Sequence, residues 1–326
     1  MRQKPRALTL VLNPNARKPR LKPPSLAQLK KALGPNSRIH VTRNLEELDR
    51  LMQTWRNEEE TVCFYGGDGS IARGLTSLIW HKGESYQLPP VLAVRAGTIN
   101  MLCSMLGFRE KIDRTLERWN RQELNTLRQI PLLKVEVENK KPQYGFIFSW
   151  GIGYRVLREY YARREIPDAI DGLAVLANTF FRACMPNASH IPMFKGFDLK
   201  LVIDGKAVPT EPLRSLAMGT ISRLSLGLRP FAPEPILPGG FHLAANSMPV
   251  GRVALHAPTL LFQIGDQRKL ARKMSRELIS ATGVREVRCE LSEGFTMDGE
   301  MFEMPARARI KITAGPVVRF WTTSQM

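Results

Sequence analysis

An apolar run, Thr61-Val62-Cys63-Phe64, passes directly through Tyr65 into Gly66-Gly67-Asp68-Gly69-Ser70 and then into a helical stretch, Ile71 to Trp80. A strand that turns through glycines straight into a helix belongs to an α/β layer, which few other architectures can accommodate. Glycine permits positive φ and close approach of another backbone. Bare amides at the start of a helix also suit an anionic group such as phosphate. The aspartate adds a carboxylate beside such phosphates, where Mg²⁺ would sit. The segment lacks the Gly-Lys-Ser/Thr ending of a Walker A loop and the G-x-G-x-x-G spacing of a dinucleotide fingerprint.

The rest of the first third supports that layer. Ala7 to Leu12 is an apolar run stopped by Asn13-Pro14-Asn15, where proline and asparagine suit a turn. Leu26, Leu29 and Leu33 recur at helical spacing between Ser25 and Gly34. Arg38 to Val41 reads as a short strand. Asn44 caps a helix over 45–55, with Glu47 in a variant capping box. Pro90 to Val94 is a further strand, Gly97-Thr98-Ile99-Asn100 a turn, and Met101 to Leu106 the start of a helix. Such alternation predicts an open, largely parallel sheet, in which ligands bind beyond the carboxyl ends of strands. Asn13, Thr42, Gly66–Ser70 and Gly97–Asn100 all fall at such ends.

After about Arg128 the pattern changes. Short runs at 132–138, 145–150, 197–203, 213–218, 241–244, 253–255 and 308–314 read as closely spaced strands, with Asp204-Gly205 as a hairpin turn. They predict an antiparallel β-sandwich, interrupted by helical character over 157–184. The division expected is 1–130 for an α/β domain and 131–326 for an all-β sandwich domain, with a return of the last residues to the first domain left open.

Charge narrows the partners. Lys and Arg number 48 against 30 Asp and Glu, a formal net charge of +18. An anionic partner is expected: a nucleotide, a nucleic acid or an acidic lipid surface. Part of this charge also serves a solvated surface. Basic residues concentrate at Arg17–Lys22 and Arg155–Arg164, without the glycine-aromatic interleaving or zinc-finger spacing of nucleic-acid modules. Four scattered cysteines suggest reduced thiols, and five scattered histidines suggest no zinc site. No stretch is long and apolar enough to span a bilayer, and no secretory leader is visible.

The order of motifs resembles the diacylglycerol kinase catalytic family, which groups bacterial diacylglycerol kinases with sphingosine and ceramide kinases. Asn13-Pro14-Asn15-Ala16 is similar to its opening turn, and Thr42 to the threonine after its second strand. Gly66-Gly67-Asp68-Gly69-Ser70 is similar to its G-G-D-G-T/S signature and Gly97-Thr98-Ile99-Asn100 to its G-T-x-N turn. Trp150-Gly151-Ile152-Gly153 resembles the start of the second domain, and Met297-Asp298-Gly299-Glu300 the closing D-G-E motif. Departures occur at Met101, where aspartate is common, at Ala96 and Ala72-Arg73, and in Pro235–Gly240, which lacks the aspartates that hold a second Mg²⁺ in many members.

The resemblance implies an NAD-kinase-like first domain and ATP-dependent phosphoryl transfer to the hydroxyl of a membrane lipid, most simply diacylglycerol. A ceramide or sphingoid base is the alternative acceptor. It implies ATP and Mg²⁺ as cofactors, with Asn13, Thr42, Gly66, Gly67, Asp68, Gly69, Ser70, Gly97, Thr98 and Asn100 around the nucleotide. Asp68 would hold the metal, Asp298 would act as general base and Glu300 would assist. A cytoplasmic protein on the inner face of an anionic membrane is expected, with a homodimer left open and no nucleic-acid partner. Two other classes stay in view: a soluble-substrate kinase of the NAD-kinase type, and a basic nucleotide- or membrane-binding protein without kinase activity.

Overall fold

The computed structural model describes residues 7–323 apart from 57–58, 98–99, 165–167, 209–210, 225–226, 235, 237 and 306. The chain divides into two compact units, Met1–Pro131 with Pro316–Met326, and Leu132–Gly315. The first contains β1 (Leu8–Leu12), α1 (Arg17–Leu21), α2 (Leu26–Leu33), β2 (Ser37–Val41), α3 (Leu45–Thr54), β3 (Thr61–Tyr65), α4 (Asp68–Lys82), β4 (Val91–Ala93), α5 (Met101–Met105) and α6 (Ile112–Asn120).

Its strands are parallel, in the order β2-β1-β3-β4. Every residue of β1 and β3 is buried, as expected of central strands covered on both faces. The edge strand β2 only half-buries alternate residues. The chain passes from β1 to β2 on one side, then returns across β1 to lay β3 on the other. That reversal creates a switch point beyond the carboxyl ends of β1 and β3, where open α/β sheets bind ligands. The helices start where their caps dictate. The Asn44 side chain accepts the Glu47 amide at 2.8 Å, and the Glu47 carboxylate accepts the Arg43 amide at 2.8 Å. The amphipathic helix α6 and the basic α1 were not expected from the sequence.

β5 (Thr126–Val137) leads into the second unit, which continues with β6 (Gln143–Gly145), β7 (Ile147–Gly151), α7 (Ile152–Ala162), α8 (Ala169–Ala183), β8 (Leu201–Ile203) and β9 (Lys206–Val208). Then follow β10 (Ser215–Gly219), β11 (Phe241–Asn246), α9 (Val250–Phe262), α10 (Gln267–Lys273), β12 (Leu278–Val284), β13 (Glu286–Leu291), β14 (Phe295–Met297), β15 (Glu300–Phe302) and β16 (Ala308–Thr322). One sheet runs β12-β11-β10-β7-β14-β15 and is antiparallel throughout. Opposite it, β13 pairs antiparallel with β8 and with the first part of β16. Alternate residues of both layers fill the core between them: Phe148 and Trp150, Leu216 and Met218, Val287 and Cys289, Ile310 and Ile312.

The Asp204-Gly205 turn joins β8 and β9 with φ of 48° and 78°, the left-handed pair that a two-residue hairpin requires. The strand expected at 253–255 is instead the middle of α9. Its buried residues Val250, Ala254, Ala257 and Leu260 recur at helical spacing, and that longer period outweighs the short apolar run. Past residue 315, β16 belongs to the first unit, where Phe320 pairs in parallel with Val91. Cys63, Cys103 and Cys289 are buried thiols, and Cys184 is exposed.

Candidate active site

In the first unit, the predicted residues converge around the switch point. Asn13 follows β1, and its amide donates to the Tyr65 carbonyl at 3.2 Å. Its side chain accepts the Asn15 amide at 2.9 Å and donates to Ser70 Oγ at 3.2 Å. The end of β1 is thereby tied to the first turn of α4. Gly67 is the N-cap of α4 and supplies no side-chain acceptor, while its carbonyl takes the Ser70 amide at 3.0 Å.

Two glycine turns meet here. A Cβ on Gly97 would lie 2.5 Å from Gly67 Cα, and a Cβ on Gly67 would lie 3.2 Å from Gly97 Cα. Backbone therefore touches backbone, which explains glycine at both positions. A Cβ on Gly66 would lie 2.2 Å from Ser70 Oγ. Asn100 closes the second turn, accepting the Gly97 amide at 3.0 Å through Oδ1 and donating to the Gly97 carbonyl at 2.7 Å through Nδ2. Its φ of 51° is left-handed, a conformation asparagine tolerates better than most residues. Thr98 lies outside the described residues.

Asp68 is buried, and its carboxylate accepts the Met101 amide at 2.8 Å and the Leu102 amide at 3.0 Å. It caps α5 from a distance and fixes the second glycine turn against the first. Burial raises its pKa, although the two amide hydrogen bonds oppose this. Each carboxylate oxygen serves one backbone amide and retains a lone pair with which it could meet a cation. Among the described residues no group of three His, Cys, Asp or Glu side chains could hold a metal ion. Thr42 extends β2, its amide donating to the Leu12 carbonyl at 2.9 Å and its hydroxyl turned toward the same oxygen.

The polar side chains of the motif thus bond mainly to their own scaffold. What the site offers a ligand is backbone amides and a basic border that motif reading missed. Lys18 in α1 donates its amide to the Ala96 carbonyl at 3.1 Å and its Nζ to the Arg95 carbonyl at 2.7 Å. Partial burial, followed by the charge of Arg95, lowers its pKa, with Arg17 and Lys111 acting in the same direction. Lys18 is thereby fixed against the segment that leads into the Gly97 turn, with Arg95, Arg17 and Lys111 near enough for their charges to act on it. The signal was present in the basic run directly after Asn13-Pro14-Asn15.

In the second unit, Asp298 and Gly299 form the hairpin turn between β14 and β15, with φ of 50° and 86°. Asp298 is buried, and its carboxylate accepts the Phe146 amide at 2.9 Å and the Ile147 amide at 2.9 Å. A Cβ on Gly145 would come within 2.3 Å of that carboxylate, so the β6–β7 junction is shaped around it. Glu300 opens β15. Tyr161 on α7 donates its hydroxyl to the Gly299 carbonyl at 2.8 Å. Burial, followed by the charge of Glu300, pushes the Tyr161 pKa up to about 12.

The basic run at 155–164 is not uniformly a surface. Arg155 is buried, paired with Glu293 at 2.8 and 3.0 Å and bonded to the carbonyls of Pro192, Met193 and Lys195. That arginine is structural.

The family model of the diacylglycerol kinase catalytic domain matches residues 7–131. No curated protein sequence matches the chain. Among solved structures, a diacylglycerol kinase from Bacillus anthracis str. Sterne is similar at 14% identity and a TM-score of 0.62, covering 99% of this chain and 98% of that one. A provisionally named diacylglycerol kinase from the same organism is similar at 14% identity and a TM-score of 0.66, with the same coverage. At that identity the likeness shows a shared fold.

Proposed function

Because residues 7–131 match the family model of the diacylglycerol kinase catalytic domain, which suggests a kinase, we propose that this chain transfers the γ-phosphate of ATP to the hydroxyl of a membrane lipid. Diacylglycerol is the first choice of acceptor, and ceramide or a sphingoid base the second. The first unit is then a nucleotide domain on the plan of NAD kinases. The observation that carries the reading is the contact of two glycine turns at the switch point of a parallel sheet, bordered by Lys18, Arg95, Arg17 and Lys111.

ATP suits that cradle. The absent Cβ atoms at Gly66, Gly67 and Gly97 let the two turns close on one another, so that backbone amides at the start of α4 can meet phosphate oxygens while neighbouring cations such as Lys18 offset their charge. Phosphoryl transfer asks a protein mainly for positioning and charge stabilisation. The family usually employs a divalent metal, and the described side chains supply no protein-built site for it. Asp68 holds the second turn in place and keeps lone pairs that such a metal could use.

The acceptor alcohol belongs to the second unit in this reading. Asp298 anchors the acidic turn through two amides, and Glu300 is the neighbouring carboxylate suited to meet the hydroxyl proton. The sequence assigned that role to Asp298; its hydrogen bonding favours Glu300. Peripheral association with the inner face of the membrane follows from such an acceptor.

Incubation with labelled ATP, Mg²⁺ and a total lipid extract should yield one labelled phospholipid. Labelled NADP⁺ in a lipid-free assay, with no labelled lipid, would replace the proposal by a soluble-substrate kinase. Salt-sensitive DNA binding without any transfer would replace it by a basic binding protein.

A further inference from the structure

Helix α8 is inside out. A surface helix normally buries its apolar stripe and exposes its polar one. Here Ile170, Leu173, Phe180 and Phe181 are exposed by 76%, 61%, 48% and 70%. The polar residues of α8 are instead spent on α7 and its end. Asn178 donates to Glu159 at 3.1 Å, Arg182 pairs with the same carboxylate at 3.1 Å, and Asp171 bonds Arg164. Both helix faces are thus satisfied only if something apolar covers the outer one.

The neighbouring α9 repeats the pattern. Gly251, Leu255, Pro258 and Phe262 follow helical spacing along one exposed face, with Leu255 exposed by 73%. α8 and α9 enclose an apolar groove of about 740 Å³ lined by residues such as Phe180, Met185, Val250, Ala254, Leu255 and Pro258. Just beyond exposed Ile264, α10 presents Arg268, Lys269, Arg272 and Lys273 to solvent.

We propose that the outer faces of α8 and α9 rest in the interfacial layer of an anionic bilayer, with the cations of α10 at its headgroups. Charge selects this occupant. A second copy would bring another +18 chain against a basic border, whereas an acidic bilayer supplies both an apolar phase and the counter-charge. The proposal deepens the lipid-kinase reading by naming the surface that meets the lipid phase, and its test requires no phosphoryl transfer.

The test is cosedimentation of the full chain, without ATP, with vesicles of equal parts phosphatidylcholine and phosphatidylglycerol. Binding to these, and much weaker binding to phosphatidylcholine alone, is expected. The double variant Leu173→Gln with Phe181→Gln should partition at least about tenfold less while melting like the wild type. Lys269→Gln with Arg272→Gln and Lys273→Gln should lose the preference for acidic vesicles. Cys184, the exposed thiol at the end of α8, can carry a polarity-sensitive label without any substitution. Its emission should shift to the blue on acidic vesicles. No vesicle binding, no shift, equal binding by the Leu173/Phe181 variant, or a self-association abolished by that variant would each overturn the proposal. Transfer from ATP to a short-chain lipid dispersed below its micellar concentration tests the kinase reading separately.

Discussion

Replacing Gly97 by alanine tests the central contact of the first unit. The new Cβ would sit 2.5 Å from Gly67 Cα and 3.3 Å from Gly67 N. Carbon atoms pack at roughly 3.5–4.0 Å, so the two turns must separate by about 1 Å. Neither side can yield by rotating a side chain, since backbone faces backbone. The Gly67 strand-to-helix turn also carries Asp68, whose carboxylate holds the amides of Met101 and Leu102. Separation therefore strains those bonds as well. The cost should reach the upper end of the roughly 1–3 kcal/mol typical of overpacking. For a unit of this size that lowers its melting transition by roughly 6–10 °C. Gly67→Ala is the internal control. Its Cβ would meet Gly97 Cα at 3.2 Å, which needs only a few tenths of an ångström, so it should cost about 1 kcal/mol or less. Thermal melting ranks the two variants, and hydrogen exchange over residues 101–105 assigns the loss to this unit. Binding of a fluorescent ATP analogue should fall further in Gly97→Ala than in Gly67→Ala. Gly97→Ala melting within about 2 °C of wild type, or Gly67→Ala proving the worse of the two, would refute the contact.

The other expectations concern charge. Burial raises the Asp68 pKa, so its ionised carboxylate is a net cost at neutral pH that fades as pH falls through the raised folded value toward the ordinary one. The stability of wild type relative to Asp68→Asn should therefore grow on acidification in a metal-free buffer, and a constant difference would contradict the assignment. Glu293→Ala strands the buried Arg155 guanidinium and should cost about 3 kcal/mol, the lower end of the usual range because three carbonyls still hold it; denaturant unfolding measures this. Asp298→Asn and Glu300→Gln should separate structure from chemistry. The first loses an acceptor for the Phe146 and Ile147 amides and should unfold about 1–3 kcal/mol more readily, whereas the second should keep its stability and lose transfer by about 10²-fold or more.

Much of the first unit was legible because its signals are local. Asn44 caps the helix it was expected to cap, Ser25 begins a helix where one was expected, and the apolar runs at 8–12 and 61–65 are the buried central strands. The hairpin at Asp204-Gly205 was equally local, since two left-handed residues admit few alternatives. The failures arose where a longer period overrode a short one. Val253-Ala254-Leu255 looks like a strand until Val250, Ala257 and Leu260 are counted with it. Helical character over 157–184 was foreseen, and the direction of its apolar stripe was left open between a lipid-facing edge and packing on the sandwich. Composition gives a helix its two faces, and only the pairing of Asn178 and Arg182 with Glu159 decides which one turns inward.

The site shows a different limit. Motif reading named the positions, and the structure adds a scaffolding task for two of the acids. Asp68 and Asp298 are both buried, and each carboxylate is met by two backbone amides from a segment far along the chain. Sequence spacing cannot reveal such partners, because they become neighbours only once the turns are closed. The same logic explains how Lys18 escaped notice: its relation to Arg95 and Ala96 exists only across the sheet end. A nucleotide cradle built from backbone leaves its signature in glycines, which make room, and in acids that hold the turns together. Loss of activity on removing those acids would therefore report on folding as readily as on catalysis. Lys18→Met is the more informative change, because Lys18 ends a flexible side chain and closes no turn by itself. It should weaken ATP-analogue binding by roughly one charge-assisted contact, about tenfold, at a stability cost of about 1 kcal/mol or less for the exposed hydrogen bond to the Arg95 carbonyl. Unchanged nucleotide affinity in that variant would remove the basic border from the site and leave the amides alone to hold phosphate.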